Sequence, residues 1–598
     1  MLLSHIVPAL SLCLPAACAG ILGPVYPPPQ DLTSDSSRVA AAWKNFTATL
    51  DGGLKHNDNS SGLVSQLKDL TFSVGLFSPR DGAAERLQYH HTGPEVANSS
   101  HGTNKVDGDS IYRIASVSKL VTVFAGLLEL DDSDWDRPLT DIFPELADFV
   151  KEKAGNFQPV YDTQWDKITL NAIAGQLGGI PRGGEVDLLS VFASLKASGA
   201  EGAESVNPAS YGLPPLDEND TALMPPCFGD NRQFCDLVSW PEGEADNAPV
   251  FLPWAAPQYA NSGYIFLGLA IANLTGKSLD EVYQDTVFDP LGMTSSYTDP
   301  VEESDPNYSR TVVAGPPEAN YALKGGVSKA SGGLLSTTND LAKLGIAILN
   351  STLLPADQTR KWLKPGSFGA DLQYGVGRPW EIYRYVHLGS GVVTDIYTKM
   401  GDSGYYGGIL AVIPDYDVGF SVLDASSLDT RSASATIAMD LIINAILPAL
   451  MQQAAIEAQK NYAGTYRSAE TNSSITLAVS PPSRPGPGLA VSSWISNGTD
   501  LTPALSSVLD SKNARFVPTV LPQGSTGKAA FRTYVPPQEV DTGSLQMLTS
   551  QLYALNSFLL VDGVRYGGKD LKMFVFDIED GRAGSVALEA FRSTLKRV

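Results

Sequence analysis

Mixed helices and strands followed by a strand-only C-terminal stretch predict an α/β (α+β) fold. The expected architecture is one large two-layer domain with a helical region, then a β-rich module. Three observations carry this. Ser116 to Leu130 is a strongly apolar run of helix length, too long for an ordinary strand. Leu70–Ser78 and the two runs within Gly407–Asp424, joined at Pro414-Asp415, have strand length and strand composition. After Asn461 only short alternating runs remain, broken by SPPSRPGPG at 480–488 and VDGVRYGG at 561–568.

Taken in order, the chain opens with MLLSHIVPALSLCLPAACAG, an early apolar stretch ending in small residues. It reads as a signal peptide over 1–19, cut near Ala19, so the product is expected to be secreted. No later run reaches the ~18 apolar residues that span a bilayer, and no stable membrane insertion is expected. Residues 20–460 form the large domain and 461–598 the β-rich one. Within the first, residues 31–55 read as a helix with Val39, Ala42, Trp43 and Phe46 on one face. Residues 200–255, rich in Pro, Gly, Asp and Glu, read as a surface insertion. Ile265–Thr275 is helical, and Asn339–Leu349 is a helix led by the capping residues Thr337 and Thr338. Tyr397 to Lys399 ends a strand. Ala433–Leu447 is a helix that Pro448 should end or kink, with helical pattern resuming to about Gln459.

The chain has 598 residues, more than one ordinary core holds. Its 43% hydrophobic and 18% charged residues are a globular composition. A net charge of −23, without long like-charge runs, argues against nucleic acid as a partner. Cys227 and Cys235 remain after the leader, close together in a Pro-rich stretch, and outside the cytosol read as a disulfide. Sequons stand at Asn45, Asn59, Asn98, Asn219, Asn273, Asn307, Asn350, Asn472 and Asn497, a density that fits a eukaryotic glycoprotein. No cofactor is called for, and the six histidines form no metal-ligand set.

Three short patterns carry possible chemistry. In Ser116-Val117-Ser118-Lys119 the first and last residues share a helix face one turn apart, at the helix N-terminus. A desolvated lysine there loses its proton readily and can activate the serine. Ser65–Lys68, Ser525–Lys528 and Ser593–Lys596 match the same pattern, but only Ser116 lies between a strand-like IYRIA and a buried helix. Tyr259-Ala260-Asn261 supplies a phenol that can pass a proton to a leaving group and an amide that can hold a carbonyl. The bland reading is a packing tyrosine and a capping asparagine. Lys399-Met400-Gly401 can set a cation and a backbone N–H at a strand edge, with Gly401 leaving room for close approach. A surface lysine in a turn is its bland reading. Gly401-Asp402-Ser403-Gly404 imitates a chymotrypsin-like nucleophile segment but has no matching His and Asp.

Together these segments resemble the serine β-lactamase-like and penicillin-binding-protein-like family, closest to class C β-lactamases and their esterase and peptidase relatives. Arg113 to Lys119 resembles the nucleophile segment. Trp135-Asp136-Arg137-Pro138-Leu139 with Phe143-Pro144-Glu145-Leu146 resembles the segment after it. Tyr259 to Tyr264, Pro290-Leu291-Gly292-Met293 and Gly332 to Thr337 resemble further family signatures. The order holds over residues ~70–450, and the C-terminal module is similar to that of secreted fungal members. The resemblance implies a β-lactamase/transpeptidase-like domain: an antiparallel sheet flanked by helices, plus a helical region. It also implies that Ser116 is acylated, Lys119 is the base and Tyr259 shares the proton. Asn261 would orient substrate, Lys399 would supply positive charge, and the N–H groups of Ser116 and Asp402 would form the oxyanion hole. Two departures stand out. Gln176-Leu177-Gly178-Gly179 replaces a His-x-Ser-Gly-like turn, and Met400 replaces the threonine whose hydroxyl meets a substrate carboxylate. The expected activity is hydrolysis of an ester or amide bond in a small-molecule or peptide substrate. Acyl transfer on the same machinery, in secondary-metabolite assembly for example, and a catalytically inactive binding protein are the alternatives.

Overall fold

A computed structural model describes residues 23–55, 59–183, 188–189, 192, 208–215, 235–479, 486–501, 514–519, 521, 527–534 and 564–598. The leader at 1–19, Cys227, Asn219, Ser525 and much of 200–255 lie outside the described residues.

The strands of the first domain are β1 (Thr71–Phe77), β2 (Gln88–His91), β3 (Tyr112–Arg113), β4 (Leu335–Ser336), β5 (Ser367–Phe368), β6 (Tyr374–Val376), β7 (Glu381–Val386), β8 (Val393–Asp402), β9 (Tyr406–Ile413) and β10 (Val418–Ala425). Eight of them form one antiparallel sheet in the order β2-β1-β10-β9-β8-β7-β6-β5, and β3 with β4 makes a separate ribbon. The period of two sorts β9 cleanly: Ile409, Ala411 and Ile413 enter one core, Leu410 and Val412 the other. Both faces are therefore covered. On one lie α1 (Arg38–Lys55) and α5 (Ser434–Asn461). On the other lie α2 (Ser118–Glu129), α3 (Asn261–Thr275) and α4 (Thr338–Asn350). Thr337 caps α4, its hydroxyl accepting from the Asp340 N–H at 3.1 Å.

Two expectations need correction. β8 does not end at Lys399; pairing with β9 continues to Asp402 opposite Gly407. Pro448 lies inside an unbroken 28-residue helix. A proline inside a helix removes one hydrogen bond and crowds the preceding turn with its ring, at a cost of about 3 kcal/mol. Ile442 and Ile446 before the proline, and Leu450 and Ala454 after it, all bury in the same core, which offsets that loss. This helix is long and apolar enough, by composition, to cross a membrane. The residues it buries pack with α1, the first sheet and the C-terminal domain in one core, while Ile456 stays exposed.

From Gly464 to Arg597 the chain forms a second antiparallel sheet, which closes on itself because the strand Ser473–Val479 pairs with both Gly464–Ser468 and Leu489–Ser496. The result is a β-barrel filled by Tyr466, Trp494, Phe516, Phe531, Phe574 and Phe576. Tyr462, at the end of α5, stacks on Phe531 at 4.9 Å and Phe576 at 5.5 Å. Arg597 donates to the carbonyls of Lys460 at 3.2 Å and Asn461 at 2.9 Å, a cation on the C-terminal end of α5.

Candidate active site

Ser116 sits in a 3₁₀ turn, Ala115–Val117, immediately before α2. Ala115 has φ 46°, a left-handed conformation uncommon for a residue with a Cβ. Strain of this kind gathers at functional sites. Ser118 pins the turn, donating to the Ala115 carbonyl at 2.6 Å and accepting from the Leu334 N–H at 3.1 Å.

One helical turn on, Lys119 is wholly buried and its Nζ lies 3.0 Å from Ser116 Oγ. It also donates to Asn261 Oδ1 at 2.8 Å and to the Ser331 carbonyl. Burial, reinforced by the Lys399 and Arg182 charges and opposed by Glu381, holds its amine well below the ordinary lysine range. Tyr259 donates its hydroxyl to Ser116 Oγ at 2.7 Å. Its ring lies 4.9 Å from Lys119 Nζ, 5.3 Å from Lys399 Nζ and 5.8 Å from the Arg182 guanidinium. The structure thus brings Ser116, Tyr259, Asn261 and Lys399 to the wall of one cleft of about 1270 Å³, with Lys119 buried directly behind Ser116 and Asn261.

The two other serine–lysine pairs among the described residues do not share this geometry; Ser525 of the third lies outside them. Ser593 and Lys596 lie on a strand, where positions three apart face opposite sides. Ser65 Oγ donates to the Gly62 carbonyl instead.

The turn at Gln176 is the scaffold for the Tyr259 segment. Gln176, with φ 61°, accepts from the Gln258 N–H through its carbonyl at 2.8 Å and from the Ala260 N–H through Oε1 at 2.8 Å. The Asn261 amide is engaged at both ends, since Nδ2 donates to the Gly183 carbonyl at 3.1 Å while Oδ1 receives Lys119.

Lys399 is buried, not an exposed strand-end cation. Its Nζ pairs with Glu381 and donates to the Met400 carbonyl at 2.7 Å, and Glu381 Oε2 accepts from the Met400 N–H at 2.8 Å. Burial pulls the Lys399 amine down most strongly, but the Glu381 carboxylate and Tyr259 together reverse this and leave it raised. Glu381 has no motif around it. The register Glu381↔Thr398 puts it beside Lys399.

The β8 edge also presents a backbone donor. Ser403 N–H bonds the Tyr406 carbonyl, so the alternation of an antiparallel pair turns the N–H groups of Met400 and Asp402 away from β9. Glu381 takes the first, and Asp402, which carries the second, lines the cleft. Gly401 packs directly on the nucleophile turn: a Cβ there would stand 2.8 Å from Ser116 N and 2.5 Å from the Ile114 carbonyl. Buried Arg431 anchors this edge, pairing with Asp402 at 2.6 Å and with buried Asp424 at 3.2 Å. Glu381, Ser331, Arg182 and Arg431 are the site residues that sequence reasoning missed. Only Ser331 adjoined a quoted segment, Gly332 to Thr337. Among the described residues, no His, Cys, Asp and Glu group could hold a metal ion.

The Beta-lactamase family model matches residues 210–439, a span that contains Tyr259, Asn261 and Lys399; Ser116 lies before it. A second model, "Beta-lactamase-like-like, C-terminal domain", matches residues 454–598. The chain is similar to a "Beta-lactamase-like protein" of Arthroderma benhamiae, 28% identical over 99% of this chain and 98% of that one. It is also similar to a "Probable hydrolase clz13" of Cochliobolus lunatus, 27% identical over 83% of this chain and 81% of that one. Among solved structures, a class C β-lactamase from Rhodobacter sphaeroides aligns over 66% of this chain and 99% of its own, at 17% identity and a TM-score of 0.45.

Proposed function

We infer that this chain, which belongs to the β-lactamase family of serine hydrolases, cleaves an ester or amide bond through an acyl-Ser116 intermediate and does so as an exported enzyme. The observation that carries the reading is the set of contacts around Lys119 Nζ. A neutral amine has two N–H donors and one lone pair. Asn261 Oδ1 and the Ser331 carbonyl can only accept, so they take the two donors. The lone pair is left for the Ser116 hydroxyl, 3.0 Å away. Lys119 then removes the Ser116 proton as Oγ attacks the substrate carbonyl. The N–H groups of Ser116 and Asp402 receive the developing oxyanion. Tyr259, 2.7 Å from Oγ, gives its proton to the departing alcohol or amine and regains one from Lys119. Water attacks the acyl-enzyme by the reverse route, releasing the acid and restoring Ser116.

Export is supported by the leader-like 1–19 segment and by sequons on the surface: Asn45, Asn98, Asn273, Asn350, Asn472 and Asn497 are exposed. A Cys227–Cys235 disulfide fits the same compartment.

A fluorophosphonate probe tests the mechanism. Wild type labels and Ser116→Ala does not. Labelling that persists in Ser116→Ala would reassign the nucleophile, and a folded wild type that never labels would remove the hydrolase reading. Secretion and a glycosidase-induced mass shift from a eukaryotic host test export.

A further inference from the structure

Glu381 changes what the cleft can accept. In the resembling enzymes a lysine and a hydroxyl at this strand edge meet a substrate carboxylate. Here the Lys399 ammonium and the Met400 N–H are both bound by one carboxylate, and the hydroxyl is absent. An anionic group placed beside Lys399 would meet Glu381 at close range in a buried setting, where like charges repel strongly.

Tyr259 and Glu381 also line a second, adjoining chamber of about 220 Å³. Its remaining walls are mostly apolar, Pro257, Tyr374, Val376, Pro379 and Trp380 among them, with the Gln176 amide the polar exception. An apolar cavity of about 150 Å³ holds a benzene ring, so the chamber has room for a phenyl or branched five-carbon group. Trp380 is fully buried, and its indole N–H has no partner among the described residues.

Two segments adjoining the chamber carry large apolar side chains in solvent. Trp254 and Leu252 are 54% and 52% exposed on one; Phe368 and Leu372 are 76% and 96% exposed on the other. Both segments abut Leu177: its carbonyl accepts from the Trp254 N–H at 2.7 Å, and its side chain faces Gly366. Trp254 holds φ 68°, which a bulky residue adopts only under constraint. An exposed aromatic kept in a strained backbone beside an apolar chamber is an economical way to receive an apolar group from water.

We propose that this chamber binds the leaving group of the substrate, and that this group is uncharged and apolar, an aromatic or branched alcohol or amine, with Glu381 excluding carboxylates. The assignment rests on the acyl-Ser116 reading: Tyr259 protonates the leaving group, and Tyr259 is a wall of the chamber.

The test uses the full-length protein and three acetate esters whose alcohols have similar basicity: ethyl acetate, isopentyl acetate and 4-acetoxybutanoate. Isopentyl acetate should exceed ethyl acetate in kcat/KM by about tenfold or more, and 4-acetoxybutanoate should fall at least about tenfold below isopentyl acetate. Ala370→Trp, at the exposed rim of the chamber, should bring the isopentyl-to-ethyl ratio of kcat/KM down toward one, a ratio that cancels any general loss of activity. Glu381→Gln should narrow the gap between the neutral and anionic esters, a ratio that cancels general damage to the fold. Equal kcat/KM across the three esters, with Ser116 labelled by fluorophosphonate, would overturn the proposal and leave the mechanism standing. Absence of labelling would instead remove the mechanism, and the chamber assignment with it.

Discussion

Replacing Lys119 with Met removes the base and exposes its electrostatic cost to the fold. Lys119 is wholly buried, and burial is the largest influence holding its amine below the ordinary value. The unfolded chain therefore binds a proton that the folded chain does not, at every pH between the folded and unfolded values of this lysine. Stability then falls as pH drops through that window, by about 1.4 kcal/mol per pH unit. Lys119→Met has no proton to bind, so this slope vanishes. The variant does leave Asn261 Oδ1 and the Ser331 carbonyl without their donor, at about 1–3 kcal/mol each. That cost shifts the variant's curve but does not tilt it. The measurement is urea unfolding of both proteins at about pH 9 and about pH 8, comparing the difference in free energy. Wild type should lose stability relative to Lys119→Met over that unit, by at most about 1.4 kcal/mol. Activity should follow the opposite logic to an acid-requiring enzyme: kcat/KM of wild type declines toward low pH as Lys119 takes up its proton. A pH-independent stability difference would mean that Lys119 stays charged in the folded protein, and the neutral-base mechanism would be refuted.

Other perturbations address the remaining parts of the site. Gly401→Ala drives a Cβ to 2.8 Å from Ser116 N. The same Cβ meets the Ile114 carbonyl at 2.5 Å, so the variant should lower the melting temperature and also cut kcat of the folded protein about 10²–10³-fold, as loss of an oxyanion donor does. Arg431→Met leaves Asp424 buried and unpaired, and should cost about 3–5 kcal/mol in denaturant unfolding. Burial already raises the Asp424 carboxyl despite its Arg431 partner, so lowering the pH should partly rescue this variant relative to wild type. Gly345→Ala meets the Phe77 ring at 2.2 Å, far from the cleft, and should lower thermal stability while kcat/KM of the surviving protein is unchanged.

What the sequence disclosed about the site follows the range of the interactions involved. Ser116 and Lys119 are one helical turn apart, so their meeting is a local property that spacing alone can state. Tyr259, Asn261 and Lys399 became legible through their neighbours in the resembling segments. Glu381 was hidden because its position depends on which residue of β7 lies opposite Thr398, and register is set by the whole sheet. Arg431 was hidden for the same reason, reaching Asp402 from the far end of the β9–β10 hairpin. The two errors of chain path share a further cause. Pro448 and the end of β8 were read from local propensity, yet burial of α5 and pairing with β9 decided them. The residues that fix the chemistry are thus local and readable, whereas those that tune it arrive through tertiary pairing. The charge of Lys399 shows the consequence most directly: the lysine was found, and the carboxylate that changes its meaning was not.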